Sequence, residues 1–169
     1  MVQKYVFFAI VLILAACLGE DFNFPETPAI TLKSFEQLKL DGKDSAVILR
    51  IEYTDGDGDI GLEPGDTLAP FEFGGPYFYN LHVYPYEVVD GVKKPIMVSA
   101  TDSIDFNDRI ATLTPTGKNK AIFGEIRIAL RAQPSFGITP DSMCYKIFIY
   151  DRKLHKSNVI ETPVGRFIF

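Results

Sequence analysis

Between Ala46 and Tyr53 the apolar residues fall on every second position, with Val47, Leu49, Ile51 and Tyr53 set against Ile48, Arg50 and Glu52. Successive side chains of a strand point to opposite faces, so this spacing puts one face in a core and the other largely in water. The period recurs in Ala121–Arg131, where Ile126, Ile128 and Leu130 alternate with Glu125, Arg127 and Arg131. It recurs again in Ser142–Asp151, where Tyr145, Ile147 and Ile149 oppose Lys146, Phe148 and Tyr150. Tyr77–Val89 reads as a further strand, then Asp90-Gly91 as a type I′ hairpin turn, then Val92–Thr101 as the return strand. Pro85 and Pro95 each lack a ladder donor, which points to kinks or edge positions. An opening strand around Ala29–Phe35, and apolar weight at Val159, Val164, Phe167 and Phe169, bring the set to about seven strands.

Asp102–Lys120 reads as a loop, with Pro115–Asn119 its clearest turn material. The pattern predicts an all-β fold, an immunoglobulin-like antiparallel β-sandwich, with a closed barrel enclosing a cavity as its rival. The predicted core is Val47, Leu49, Ile51, Leu81, Val83, Ile126, Ile128, Tyr145, Ile147 and Ile149.

The first residues follow a different rule. Lys4 is the only charge in Met1–Ala16, and the run Tyr5–Ala16 is uncharged, mostly apolar and 12 residues long. A short positive region, an apolar core and small residues make a secretory signal, and 12 residues fall short of the about 20 that span a bilayer core. The run ends Leu14-Ala15-Ala16-Cys17, a sequence similar to the bacterial lipobox, in which cleavage precedes a lipid-modified cysteine. Residues 1–16 are thus read as a lipoprotein signal, 17–27 as a lipidated tether and 28–169 as the sandwich domain. An ordinary cleaved signal with an incidental cysteine is the alternative.

Removing 1–16 leaves 153 residues, enough for one domain with a sizeable core, and takes the formal net charge from −5 to −6. An acidic domain has no electrostatic footprint for nucleic acid and gains nothing from anionic lipid, so membrane attachment falls to acyl chains on Cys17. With Cys17 lipidated, Cys144 has no disulfide partner and reads as a buried small hydrophobe within its strand. Neither His82 nor His155 sits in a motif that would activate it.

The strand ending at Tyr53 runs into Asp55-Gly56-Asp57-Gly58-Asp59-Ile60-Gly61, and the chain has no Lys or Arg between Glu52 and Lys93. Alternate aspartates repel one another unless a hard cation or solvent relieves them, and Asp-x-Asp-x-Asp is how an EF-hand supplies its first side-chain ligands. The EF-hand itself is excluded: its glycine position holds Ile60, its twelfth position holds Asp66, and no helices flank it. In an immunoglobulin topology the loops after the second and penultimate strands share one end. Asp151 would then bring a fourth carboxylate to Asp55, Asp57 and Asp59. Two readings stand at this point, a calcium site made by these four residues and a turn closed by aspartate side chains on backbone N–H groups.

Phe71, Phe73, Tyr77, Phe78, Tyr79, Tyr84 and Tyr86 crowd into 16 residues. In a chain without tryptophan the expected place for them is the core; an exposed platform for carbohydrate or protein is the alternative.

Several stretches together resemble a group of small lipoproteins of Bacteroidota cell envelopes. They are Phe24–Ile30, Tyr53–Leu62, Tyr79-Asn80-Leu81, Phe106–Ile110, Leu113–Ala121 and Asp151–Pro163, the aspartate loop being the most specific. The resemblance implies an outer-membrane, lipid-anchored immunoglobulin-like protein and no particular activity. Glu20-Asp21 after Cys17 is the kind of acidic signal that favours surface export in that phylum, and both the periplasmic and the surface face remain open. His155 stands where such proteins often carry asparagine.

Three function classes are open to such a chain. A non-catalytic binding or scaffold module would meet an envelope protein or glycan. A small-ligand or lipid carrier would need a barrel cavity. A hydrolase would need a constellation that is missing: there is no Gly-x-Ser-x-Gly, His-Glu-x-x-His or phosphate loop, and no spacing supports acid–base work by Glu125 with Asp108. The module is the expected class. Replacing Cys17 by Ser should abolish radiolabelled palmitate incorporation and leave an uncleaved or soluble form; unchanged labelling would overturn the lipobox reading.

Overall fold

The computed structural model describes residues 23–113 and 120–169. The signal, Cys17, most of the tether and the Pro115–Asn119 turn lie outside the described residues. Among the described residues there is no helix and there are eight strands: β1 Ala29–Leu40, β2 Lys43–Asp55, β3 Leu81–Val89, β4 Val92–Pro95, β5 Ile122–Arg131, β6 Ser142–Ile149, β7 Ile160–Glu161 and β8 Gly165–Arg166. They form two antiparallel sheets, β1-β2-β5 and β4-β3-β6-β7, with β8 also paired to β6. The molecule is an all-β sandwich. The second and fifth strands pair in one sheet while the third and sixth pair in the other, so the chain crosses between the sheets after β2, β4 and β5. Each sheet keeps its own edges, so the closed-barrel rival is set aside.

Alternation decides what faces inward. Val47, Leu49 and Ile51 of β2 pack in one cluster with Val83 of β3, Ile128 of β5 and Tyr145, Ile147 and Ile149 of β6, all buried. Ile126 is the exception among the predicted core residues, only partly buried against that cluster. The outward face of the first sheet carries a charge ladder, Lys33 to Glu52 and Glu125 at 3.0 Å each and Arg50 to Glu125 at 2.7 Å. Exposed pairs of this kind add little stability, but these hold Glu125 below the ordinary carboxylate range, chiefly through the Arg50 hydrogen bond. A carboxylate so held is poorly suited to act as a general acid.

The sequence reading erred mainly at strand ends. β1 runs on to Leu40, because Asp41-Gly42 forms a two-residue turn with φ of 52° and 81°, like Asp90-Gly91 at 52° and 78°. Residues 77–80 are not in β3, and the return strand stops at Pro95 rather than Thr101. Pro95 opposes Tyr86 at the last pair of the β3–β4 ladder, and Pro85 follows where that pairing ends. On the other side of β3, Pro85 opposes Tyr145, whose backbone N–H and C=O both go to Thr162, so no ladder donor is needed from Pro85 there. The C-terminal stretch contributes two short strands, raising the total from about seven to eight.

Tyr145 is the largest fully buried side chain, set between Phe35 and Phe106 at 6.3 and 6.4 Å. Its hydroxyl has no hydrogen-bond partner among the described residues, and burial pushes its pKa up. A buried hydroxyl without a partner costs stability that an apolar replacement of the same shape recovers. Tyr145→Phe should therefore leave stability unchanged or raise it by about 1 kcal/mol, while Tyr145→Ala should lose about 3–5 kcal/mol. Urea unfolding measures both; a loss of more than about 1 kcal/mol in the Phe variant would show that the hydroxyl is bonded.

Candidate functional site

β2 and β6 finish at the same end of the sandwich, and the loop after β2 is sewn to the segment after β6. Ile60 pairs with Asp151 as an isolated antiparallel bridge, Arg152 N–H donates to the Asp59 carbonyl at 3.2 Å, and Leu113 N–H donates to the Ile60 carbonyl at 3.0 Å. Ile60 itself is fully buried, so the loop is anchored by an apolar plug as well as by backbone bonds. The glycines let other chain segments come close. A Cβ on Gly58, whose φ is +65°, would lie 1.7 Å from the Lys120 carbonyl oxygen, and one on Gly56 would lie 2.1 Å from that of Phe24. Gly56 N–H also donates to the Pro25 carbonyl at 2.8 Å, so the start of the described chain is docked on this loop rather than hanging free.

Asp55, Asp57 and Asp59 each offer a carboxylate oxygen within 4.8 Å of the others. Oxygens bound to one calcium at about 2.3–2.6 Å cannot be further apart than about twice that, and the three meet this condition. Asp55 is fully buried. Its Oδ2 accepts the Asp59 N–H at 2.9 Å, the aspartate turn anticipated as the plain reading. Its Oδ1 has no hydrogen-bond partner among the described residues, nor do Oδ1 of Asp57 or Oδ1 of Asp59. The two oxygens of this one carboxylate thus differ: one closes the turn, and the other has no hydrogen-bond partner among the described residues.

Asp151, 1% exposed, lies close enough to raise the pKa of both Asp55 and Asp59, as the topology argument expected. It does not join the set of mutually close oxygens. Both its oxygens instead meet His155, whose backbone N–H donates to Asp151 Oδ1 at 2.8 Å and whose Nδ1 lies 2.9 Å from Oδ2. The candidate site is therefore three aspartates open to a cation, with a fourth alongside held by a histidine.

Burial raises Asp55 to about 7, with Asp57, Asp59 and Asp151 adding to the shift. Burial and then Asp151 raise Asp59; burial also raises Asp151, opposed by His155. These carboxyls bind protons more tightly folded than unfolded.

Two arginines hold the long connection from residue 56 to residue 80, and sequence reasoning passed over both. Arg152 grips Asp66 through both oxygens, at 2.5 and 3.1 Å. Arg109 donates to the carbonyls of Phe78, Glu63 and Asp66 at 2.7, 3.2 and 3.2 Å and covers the Phe78 ring. The only hint in sequence was their position in segments flanked by turn residues.

The aromatic segment is not core, contrary to expectation. None of its seven rings is fully buried, and Phe73 is 84% exposed. Tyr77, Tyr84 and Tyr86 instead border the outer face of the second sheet. There His82 stacks on Phe148 at 4.7 Å, and Tyr77 meets Tyr150 edge-on at 5.2 Å. Tyr84, Tyr86, Phe148, Lys146 and Val159 are among the residues lining a concavity of about 390 Å³. The core draws its bulk from isoleucines, leucines and valines with Tyr145 and Phe167, and its other aromatic contacts, Phe35, Tyr53, Phe106 and Phe169, come from outside this segment. Cys144 is buried and unpaired, and burial pushes its thiol up, away from a reactive thiolate.

Comparison with family models, with curated proteins and with solved structures gives no match in any of the three.

The pH dependence follows from the sign of the shifts. A carboxyl whose pKa rises on folding adds stability while protonated and loses it as pH climbs from the unfolded value, near 4, through the folded one, about 7 for Asp55. Asp66, Glu125 and Glu161 are shifted the other way, and their effect is confined to lower pH. In chelator, the melting temperature should fall between pH 5 and 7.5, and Asp55→Asn should flatten the fall. A melting temperature that rises across that window would contradict the burial of these charges.

Proposed function

We propose that this chain is a cell-envelope lipoprotein, anchored to the outer membrane through Cys17. It acts as a non-catalytic binding or scaffold module whose loop end is stabilised by calcium. The observation that carries the calcium reading is Asp55 Oδ1, buried, unpartnered and within reach of two further carboxylates. An ionised group buried among like charges is unfavourable, and a divalent cation reverses the sign of every one of those interactions. All-oxygen, carboxylate-rich donors suit a hard cation and not a soft one.

The module reading is supported by two open sheets packed on one apolar cluster, where the hollow beside Leu81, Phe106, Ile126 and Ile128 amounts to only about 220 Å³, and by the aromatic outer face and its concavity as a contact surface. The partner is an envelope protein or glycan, and the lipidated protein used as bait in native membranes would retrieve it. The lipid, the envelope location and the resemblance on which they rest are part of the same proposal.

The calcium reading is tested by thermal melts of the full chain at neutral pH. Calcium at about 100-fold over its dissociation constant should add about 2.7 kcal/mol, or roughly 5–10 °C for a domain of this size. Asp55→Asn should raise the melting temperature in chelator and abolish the calcium gain. Coincident melts with and without calcium, together with no calorimetric heat, would leave the aspartates as turn-formers only.

A further inference from the structure

Resting on the calcium reading, we propose that Lys153 is a built-in counter-ion of the aspartate cluster, held against it in the metal-free protein and displaced when the cation binds. Its Nζ lies 2.5 Å from Asp57 Oδ2 and 3.4 Å from Glu26 Oε2. Among the ion pairs of the described residues, this is the only lysine or arginine paired with any of Asp55, Asp57, Asp59 or Asp151.

Its placement is built into the fold. The turn from Asp151 to Leu154 is closed by Leu154 N–H donating to the Asp151 carbonyl at 3.2 Å, with Leu154 at a φ of 69°. Few leucines adopt that backbone region without surrounding restraint. Arg152 N–H fixes the same turn to the Asp59 carbonyl. The lysine is thereby projected across the mouth of the cluster: its side chain is 51% exposed, while that of Asp57 beneath it is 17% exposed.

One ammonium cannot satisfy this cluster. It reaches a single oxygen, Asp57 Oδ2, while Oδ1 of Asp55, Asp57 and Asp59 stay without partners. A divalent ion drawn to those three oxygens would meet the lysine as a like charge a few ångströms away, and the two cations compete for Asp57. Lys153 need not go far, because Glu26 is already beside it at 3.4 Å. The arrangement sets metal affinity: the lysine partly neutralises the apo site and must be pushed aside for the cation to enter. Arg152 does not share the role, since its guanidinium is committed to Asp66.

The test is calcium titration calorimetry and thermal melting of the full chain in detergent, wild type beside Lys153→Met, which keeps the aliphatic stem and removes the charge. Calcium should bind the variant about three- to tenfold more tightly, the range for losing one partly exposed opposing charge. In chelator the variant should melt below wild type, and in saturating calcium the two should coincide, because the ion pair exists only in the metal-free state. Equal affinities, or a variant that loses the same number of degrees with and without calcium, would make Lys153 an ordinary surface ion pair and overturn the inference while leaving the calcium site standing. No calcium heat in either protein would overturn both.

Discussion

Like charges taken out of water repel more strongly than in it, and the end of this sandwich where β2 and β6 finish gathers Asp55, Asp57, Asp59 and Asp151. Much of the neighbouring structure answers that repulsion. Asp55 Oδ2 accepts the Asp59 N–H, Asp151 accepts the His155 backbone N–H and lies against the His155 ring, and Asp57 is paired with Lys153. The three Oδ1 atoms that remain are the part of the charge that backbone and side chains leave unanswered. That remaining negative charge is what the proposed divalent ion would answer.

The sandwich supplies the rigidity that makes this arrangement hold. Ile60 is buried while bridging to Asp151, so the loop cannot relax its charges apart without exposing an apolar side chain. Lys120 and Phe24 press their carbonyls against Gly58 and Gly56, where any side chain would collide. Arg109 ties down the long connection that follows by donating to three of its carbonyls, replacing hydrogen bonds that regular strands would have given them, and Arg152 ties it down by gripping the Asp66 carboxylate. Side-chain amides do similar work elsewhere: Asn158 exchanges two 2.8 Å hydrogen bonds with the backbone of Ile30, and Asn80 holds Ile110.

The second face of interest is ordered by different physics. On the outer surface of β3 and β6, aromatic rings stack along and across the strands, and Lys156 lies 3.8 Å from the Phe148 ring centroid. Rings placed this way give a stiff, half-exposed surface at low entropic cost, suited to contact with another molecule. The concavity on this face is lined by none of the four aspartates, so in the proposed reading calcium stabilises the module rather than forming the contact itself.

The sequence by itself determined the fold class, most of the core and the acidic loop. Period-two alternation leaves only one face of each strand able to be buried, and three aspartates spaced by glycines cannot be read as packing residues. Asp41-Gly42 carried the same turn chemistry as Asp90-Gly91 and was equally legible, though only the latter was read as a hairpin. Strand ends were less legible because pairing stops where partner and geometry run out, as at Pro95, and not where apolar residues do. The aromatic segment was misplaced because ring content does not reveal which layer a loop reaches. Only the tertiary structure could decide which carboxylate oxygen is satisfied and which is stranded, that His155 claims Asp151, and that Lys153 meets Asp57. Those facts depend on segments some 90 residues apart arriving at one point, and no local pattern encodes that meeting.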